Sequence, residues 1–138
     1  MLQRNKETVS IPPILYTLLF ASAYFVTAFL GKFISFEPQS FTTFWPASGL
    51  SVAVLLLSNF RTWPYIIAGL YLGNISYDLF CNRSLLVSLF FSTGNCLEAC
   101  VGAWGVRKYL GRPVDLFKIS DIVAFGTISA VLSTMLSA

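Results

Sequence analysis

Histidine is absent from this chain of 138 residues, and charge is scarce: nine Lys or Arg and six Asp or Glu make up 11% of the sequence. The first absence removes imidazole-ligated haem and histidine-based acid–base chemistry. The second excludes an ordinary soluble domain, in which about 25% of residues are charged. Three cysteines, Cys81, Cys96 and Cys100, lack the spacing of a zinc or redox site. They lie in or at the ends of apolar segments, where they read as small buried hydrophobes. No paired nucleophile and base, no metal cluster and no phosphate loop is visible, so neither catalysis nor a cofactor or metal is expected. The net charge of +3 is too small and too dispersed for a nucleic-acid partner. What the chain has in abundance is apolar surface: 56% of residues are hydrophobic, and the mean hydropathy is +0.73. A fold this small cannot bury that much. Its solvent must be lipid, and the expected class is an all-α integral membrane protein.

A helical span needs about 20 mostly apolar residues. Five segments meet or approach that length: 12–35, 46–60, 64–80, 85–106 and 119–138, preceded by a tail at 1–11. The tail is basic, and "ASA" at 21–23 resembles a signal-peptide cleavage site. The apolar run continues past it through Tyr24, Phe25, Val26 and Phe29, beyond a signal peptide's short core. An uncleaved first span is therefore expected. The last apolar run reaches Ala138 without an aromatic or basic flank, which reads as part of a longer membrane domain.

Tryptophan directly precedes proline twice, at Trp45-Pro46 and Trp63-Pro64. Proline suits the first position of a helix, where its missing N–H would go unpaired anyway. Tryptophan favours the headgroup level of a bilayer. The two pairs read as interface anchors at the outer entrance of the second span and the inner entrance of the third. The second span, at 15 residues and about 22 Å, is shorter than a ~30 Å hydrocarbon core. Residues 41–45 are therefore expected to dip in as well.

Polar groups inside the spans mark where the chain faces itself. Gly69 and Gly73 form a GxxxG pair, with Asn74 and Asp78 beyond them. Gly94, Glu98 and Gly102 fall on one helical ridge beside Asn95, and serines recur at 129, 133 and 137. Small residues at this spacing are characteristic of membrane helix seams. Gly69, Gly73, Gly94 and Gly102 are thus expected to pack the third span against the fourth. At ~1.5 Å per residue, Glu98 lies about 20 Å below the outer surface, and Asn74 and Asn95 lie at similar depths on neighbouring helices. A carboxylate there costs roughly 2.5–3.5 kcal/mol on insertion scales. Asn74, Asn95 and Glu98 are therefore expected to form a polar core cluster, read either as a hydrogen-bonded scaffold or as a site for a ligand, ion or proton. Asp78, nearer the outside, is placed to pair with Arg83.

Four segments in order resemble a known family: "WPASGL" (Trp45, Pro46, Ala47, Gly49), "RTWP" (Arg61, Trp63, Pro64), "GLYLGN" (Gly69, Gly73, Asn74) and "GNCLEA" (Gly94, Asn95, Glu98, Ala99). They are similar to the membrane-associated sensor domains of the first-named MASE type. The resemblance covers about residues 41–138. It implies a domain of about eight spans, of which this chain would be the N-terminal part. It also implies an input module of the bacterial inner membrane, sensing a small molecule or a membrane partner. The implied partners are a cytoplasmic output domain (a histidine kinase or a cyclic-di-GMP enzyme such as a diguanylate cyclase) and a second copy of the chain. The alternative is a transporter or transporter subunit in which Glu98 is the coupling carboxylate.

Orientation follows from the cations. With the N-terminus cytoplasmic, inside segments carry Arg4, Lys6, Arg61, Arg107, Lys108, Arg112 and Lys118, and outside segments carry only Lys32 and Arg83. Seven against two is a strong positive-inside bias across loops short enough for it to act. Reporter fusions after Arg61 and Arg112 should read cytoplasmic and one after Arg83 periplasmic. A periplasmic signal at Arg112 would overturn the five-span arrangement.

Overall fold

The computed structural model describes residues 12–34, 46–110, 118–123 and 126–127. Trp45 and the entry at 41–45, most of the fifth expected span and its serine seam lie outside these residues. Four α-helices follow in order: α1 (Pro13–Ile34), α2 (Pro46–Leu57), α3 (Trp63–Phe80) and α4 (Leu85–Leu110), with a 3-10 turn at Phe60–Thr62 between α2 and α3. Residues 119–123 and 126–127 are also helical. Among the described residues there is no strand.

The helix ends are set by local chemistry. Pro46 opens α2, and Pro64 takes the second position of α3, where no intrahelical N–H bond is lost. At the other end of α3, Asn82 adopts a left-handed φ of 60°, a conformation asparagine tolerates better than most residues. Its N–H bonds Leu79 O, and the N–H of Arg83 bonds Asp78 O, each at 3.0 Å. This closure turns the chain back sharply and satisfies two carbonyls at the helix end. Ser84 then precedes α4 as its cap, its Oγ accepting the N–H of Val87 at 3.4 Å.

Directions alternate through the bundle. Thr17 of α1 bonds Tyr65 O near the start of α3, and Phe29 stacks edge-on against Phe80 at its end, so α1 and α3 run parallel. Ser48 meets Glu98, and Leu55 meets Arg107, so α2 and α4 also run parallel. The sharp turn at 81–84 makes α3 and α4 antiparallel. Tyr24, Val52, Leu55, Ile66, Leu70 and Val106 fill the buried core. The outside is apolar too, with Leu19, Leu30, Phe33, Leu72, Phe90 and Leu97 exposed. An apolar exterior around a packed interior is the pattern of helices bathed in lipid.

Among the described residues, two helices, Pro13–Phe33 and Leu85–Leu110, are long and apolar enough to cross a membrane. α2, with 12 residues, reaches only about 18 Å. α3 has 18 residues but falls short on hydropathy. Lying between α1 and α4, it can turn its polar side chains toward protein rather than lipid.

The glycine seam differs from the sequence expectation. Gly69 and Gly73 face α1, not α4. A Cβ on Gly69 would sit 2.8 Å from Thr17 O, and one on Gly73 would sit 2.7 Å from Ala21 O. The backbone of α1 fills the space that the glycines leave, and Thr17 Oγ1 reaches Tyr65 O at 3.1 Å. Gly94 is exposed, with nothing within 4 Å of an added Cβ, so it belongs to no seam among the described residues. Gly102 is buried. The face that α4 buries carries Ser88, Ser92, Ala99, Gly102, Ala103 and Val106. Serine and alanine permit close approach as glycine does, which is why the glycine ridge misled. Gly73→Ala should destabilise the purified chain by about 1–3 kcal/mol in detergent through the clash with backbone. Gly94→Ala should leave its thermal midpoint unchanged, and equal midpoints for the two variants would refute the α1–α3 seam.

Candidate functional site

Polar side chains converge where α1, α3 and α4 meet. Asn74 on α3 is 1% exposed, and its side chain makes four hydrogen bonds. Its Nδ2 donates to Ser92 Oγ on α4 at 2.8 Å and to Asp78 Oδ2 one turn along α3 at 3.4 Å. Its Oδ1 accepts from Tyr24 OH on α1 at 3.0 Å and from Asn95 Nδ2 on α4 at 3.3 Å. Two donors and two lone pairs are the full capacity of a side-chain amide. Asn95 Nδ2 also donates to Tyr24 OH at 3.2 Å, closing a ring of three residues from three helices.

Gly73 makes this convergence possible. The close approach of α1 at Gly73 carries Tyr24, whose Cβ would lie 3.0 Å from a Cβ on Gly73, to the neighbouring Asn74. On α4, Ser92 and Asn95 share a face at i, i+3, so both can reach one amide.

The end of the network near the α3–α4 turn carries charge. Asp78 is buried, and its Oδ1 accepts from Arg83 Nη1 at 3.1 Å, while the Arg83 side chain remains 42% exposed. The closure at Asn82 folds Arg83 back over Asp78. Arg83 also lies 5.4 Å from the centre of the Phe91 ring. The buried carboxylate thus has a cation on one oxygen and an amide on the other, and breaking a buried pair by removing one partner is strongly destabilising.

Glu98 stands apart from this cluster. The sequence groups it with Asn74 and Asn95, and the structure brings only the two asparagines together. Glu98 Oε1 instead accepts from Ser48 Oγ on α2 at 2.5 Å. Three residues along α4 from Asn95 advance the helix by ~4.5 Å and leave Glu98 offset by ~60° around it, on the side where α2 rather than α3 is the neighbour. At the opposite end, Trp63 Nε1 donates to Leu55 O at 3.1 Å, tying the start of α3 to the last turn of α2. Among the described residues, no group of three or more Cys, Asp or Glu side chains is placed to hold a metal ion.

The MASE1 family model matches residues 15–138. The chain belongs to the MASE1 family. MASE1 is an integral membrane domain that serves as the sensor of signalling proteins, so the chain is not itself catalytic. No curated protein and no solved structure matches it.

Sequence reasoning missed three members of the MASE1 network and its flank: Tyr24, Ser92 and Ser48. Tyr24 sits in a long apolar run where it reads as another aromatic. The available signal was its hydroxyl, which needs a partner when buried mid-span. Serine is ambiguous, because in a membrane helix it often bonds its own i−4 carbonyl, as Ser51 does with Ala47 O at 2.9 Å.

Severing the network at either end should cost more than one bond. Asn74→Ala should lower stability by about 1–3 kcal/mol, since it orphans groups on three helices. A double-mutant cycle between Tyr24→Phe and Asn74→Ala, read by unfolding in detergent, should give a coupling of about 0.6–1.7 kcal/mol. Additive effects would show that the hydroxyl and the amide act independently.

Proposed function

We propose that this MASE1 domain is the input module of a bacterial inner-membrane signalling protein, with its N-terminus cytoplasmic and its expected five spans part of a larger sensor. Its buried Asn74 network holds one packing arrangement of α1, α3 and α4. A small molecule or membrane partner that favours another arrangement would shift the population and pass the change to a cytoplasmic kinase or cyclic-di-GMP enzyme. A signal acts only through such a difference in affinity between two states.

The observation that carries this reading is the saturation of Asn74. With no donor or acceptor to spare, the amide can accept from a new donor only by giving up its bond to Tyr24 on α1 or to Asn95 on α4. Binding and repacking would then be one event. Glu98 and Ser48 are a second contact point for the signal, on the side where α4 meets α2. The alternating helix directions support the orientation, since they place Arg61, Arg107 and Lys108 at one end of the bundle and Lys32 and Arg83 at the other.

The test uses the signalling protein that contains the domain, with membrane levels matched. Asn74→Leu and Glu98→Gln should each change output activity by about fivefold or more, the lower range of allosteric coupling. Leu97→Ala, on the lipid-exposed face, should leave it unchanged. Normal output and normal signal response in both core variants would overturn the reading.

A further inference from the structure

The inner end of α4 carries an arginine whose surroundings differ from those of any other cation described. Arg107 Nη2 donates to Leu55 O at 2.9 Å, to Leu56 O at 2.7 Å and to Ser58 O. Leu55 and Leu56 belong to the last turn of α2 and Ser58 follows it, where carbonyls lose their intrahelical partners. The guanidinium also lies over the rings of Phe60 at 4.6 Å and Trp63 at 5.5 Å. Carbonyls and aromatic faces orient the group without neutralising it. Among the described residues Arg107 forms no ion pair; the one such pair, Asp78–Arg83, is at the opposite end of the bundle. Nη1 and Nε have no hydrogen-bond partner there either. A planar fork of this kind matches phosphate geometry.

Two more cations and a second tryptophan share this end. Arg61 is exposed in the 3-10 turn between Phe60 and Trp63. Lys108 follows Arg107, is exposed, and lies 4.7 Å from the centre of the Trp104 ring. Trp104, Leu57 and Phe60 expose large apolar surfaces at the same end. An anion bound here would have apolar surface alongside it.

We infer that the inner end of the α2–α4 junction is a binding site for the phosphate of an anionic phospholipid, with Arg107 as the oriented donor and Arg61 and Lys108 as exposed cations. The apolar flank is what favours a lipid over a free phosphate. Acyl chains can lie along Leu57, Phe60 and Trp104 while the headgroup meets the three cations. Clusters of Lys and Arg beside membrane helices attract anionic headgroups, and tryptophan sits at that level. Because Arg107 holds α2 and α4 together, the site would make the packing of these helices sensitive to lipid composition.

The test compares phosphatidylglycerol with phosphatidylcholine, added to the full chain in neutral detergent, by native mass spectrometry and thermal unfolding. Phosphatidylglycerol should be retained preferentially and should raise the unfolding midpoint. Arg61→Gln with Lys108→Gln should reduce that preference by about fivefold for each cation removed, with the midpoint in phosphatidylcholine unchanged because Arg107 and its clasp remain. Equal retention of the two lipids, or an unaltered preference in the double variant, would overturn the site. Inorganic phosphate that raised the midpoint in phosphatidylcholine as much as phosphatidylglycerol does would overturn its assignment to lipid.

Discussion

A polar group buried in a membrane protein must find its partner within the protein, because lipid supplies none. Asn74 meets this requirement in full, and the arrangement of three helices follows from how it does so. Its four bonds reach Tyr24, Asp78, Ser92 and Asn95. Each bond individually is modest, since interhelical hydrogen bonds in membranes average about 0.6 kcal/mol. Their value lies in direction. Apolar helices in lipid have no strong preference for one rotation over another, whereas an amide bonded on all four positions admits few.

The close contact between α1 and α3 and the polar network are two parts of one arrangement. Gly69 and Gly73 let the backbones approach until Thr17 O and Ala21 O occupy the place of side chains. Only at that separation does the tyrosine hydroxyl on α1 reach an amide on α3. The dispersion contacts of a tight helix pair and the bonds of the network therefore form and break together. Packed interfaces of this sort switch between discrete arrangements rather than deforming continuously, which is a useful property in a sensor domain.

α4 connects the two ends of the domain. Its first half supplies Ser92 and Asn95 to the network, and its middle supplies Glu98 to Ser48 on α2. Its C-terminal end supplies Arg107 to the carbonyls at the end of α2. A rotation or shift of this helix would alter all three contacts. Serine and alanine on its buried face leave little side-chain bulk to resist such a shift.

The scarcity of charge and the length of the apolar runs were enough to identify a helical membrane protein. The cation distribution, read through the positive-inside rule, yields an orientation, and four short motifs in order point to the MASE1 family. Proline and asparagine at helix ends are legible because their effects are local. That Asn74 and Asn95 lie at a common level was legible for a similar reason, since rise per residue is a property of one helix. Which helix each polar residue faces was not. The same GxxxG pattern fits any closely approaching neighbour, and only the packed bundle selected α1 over α4. Glu98 and Asn95 are three residues apart, yet their partners lie on different helices because α4 is wedged between α2 and α3. The sequence by itself determined the solvent, the secondary structure and the polar residues that lipid would reject. Tertiary structure alone decided their partners, because pairing depends on the relative rotation of helices, and rotation is set by all the contacts of the bundle at once.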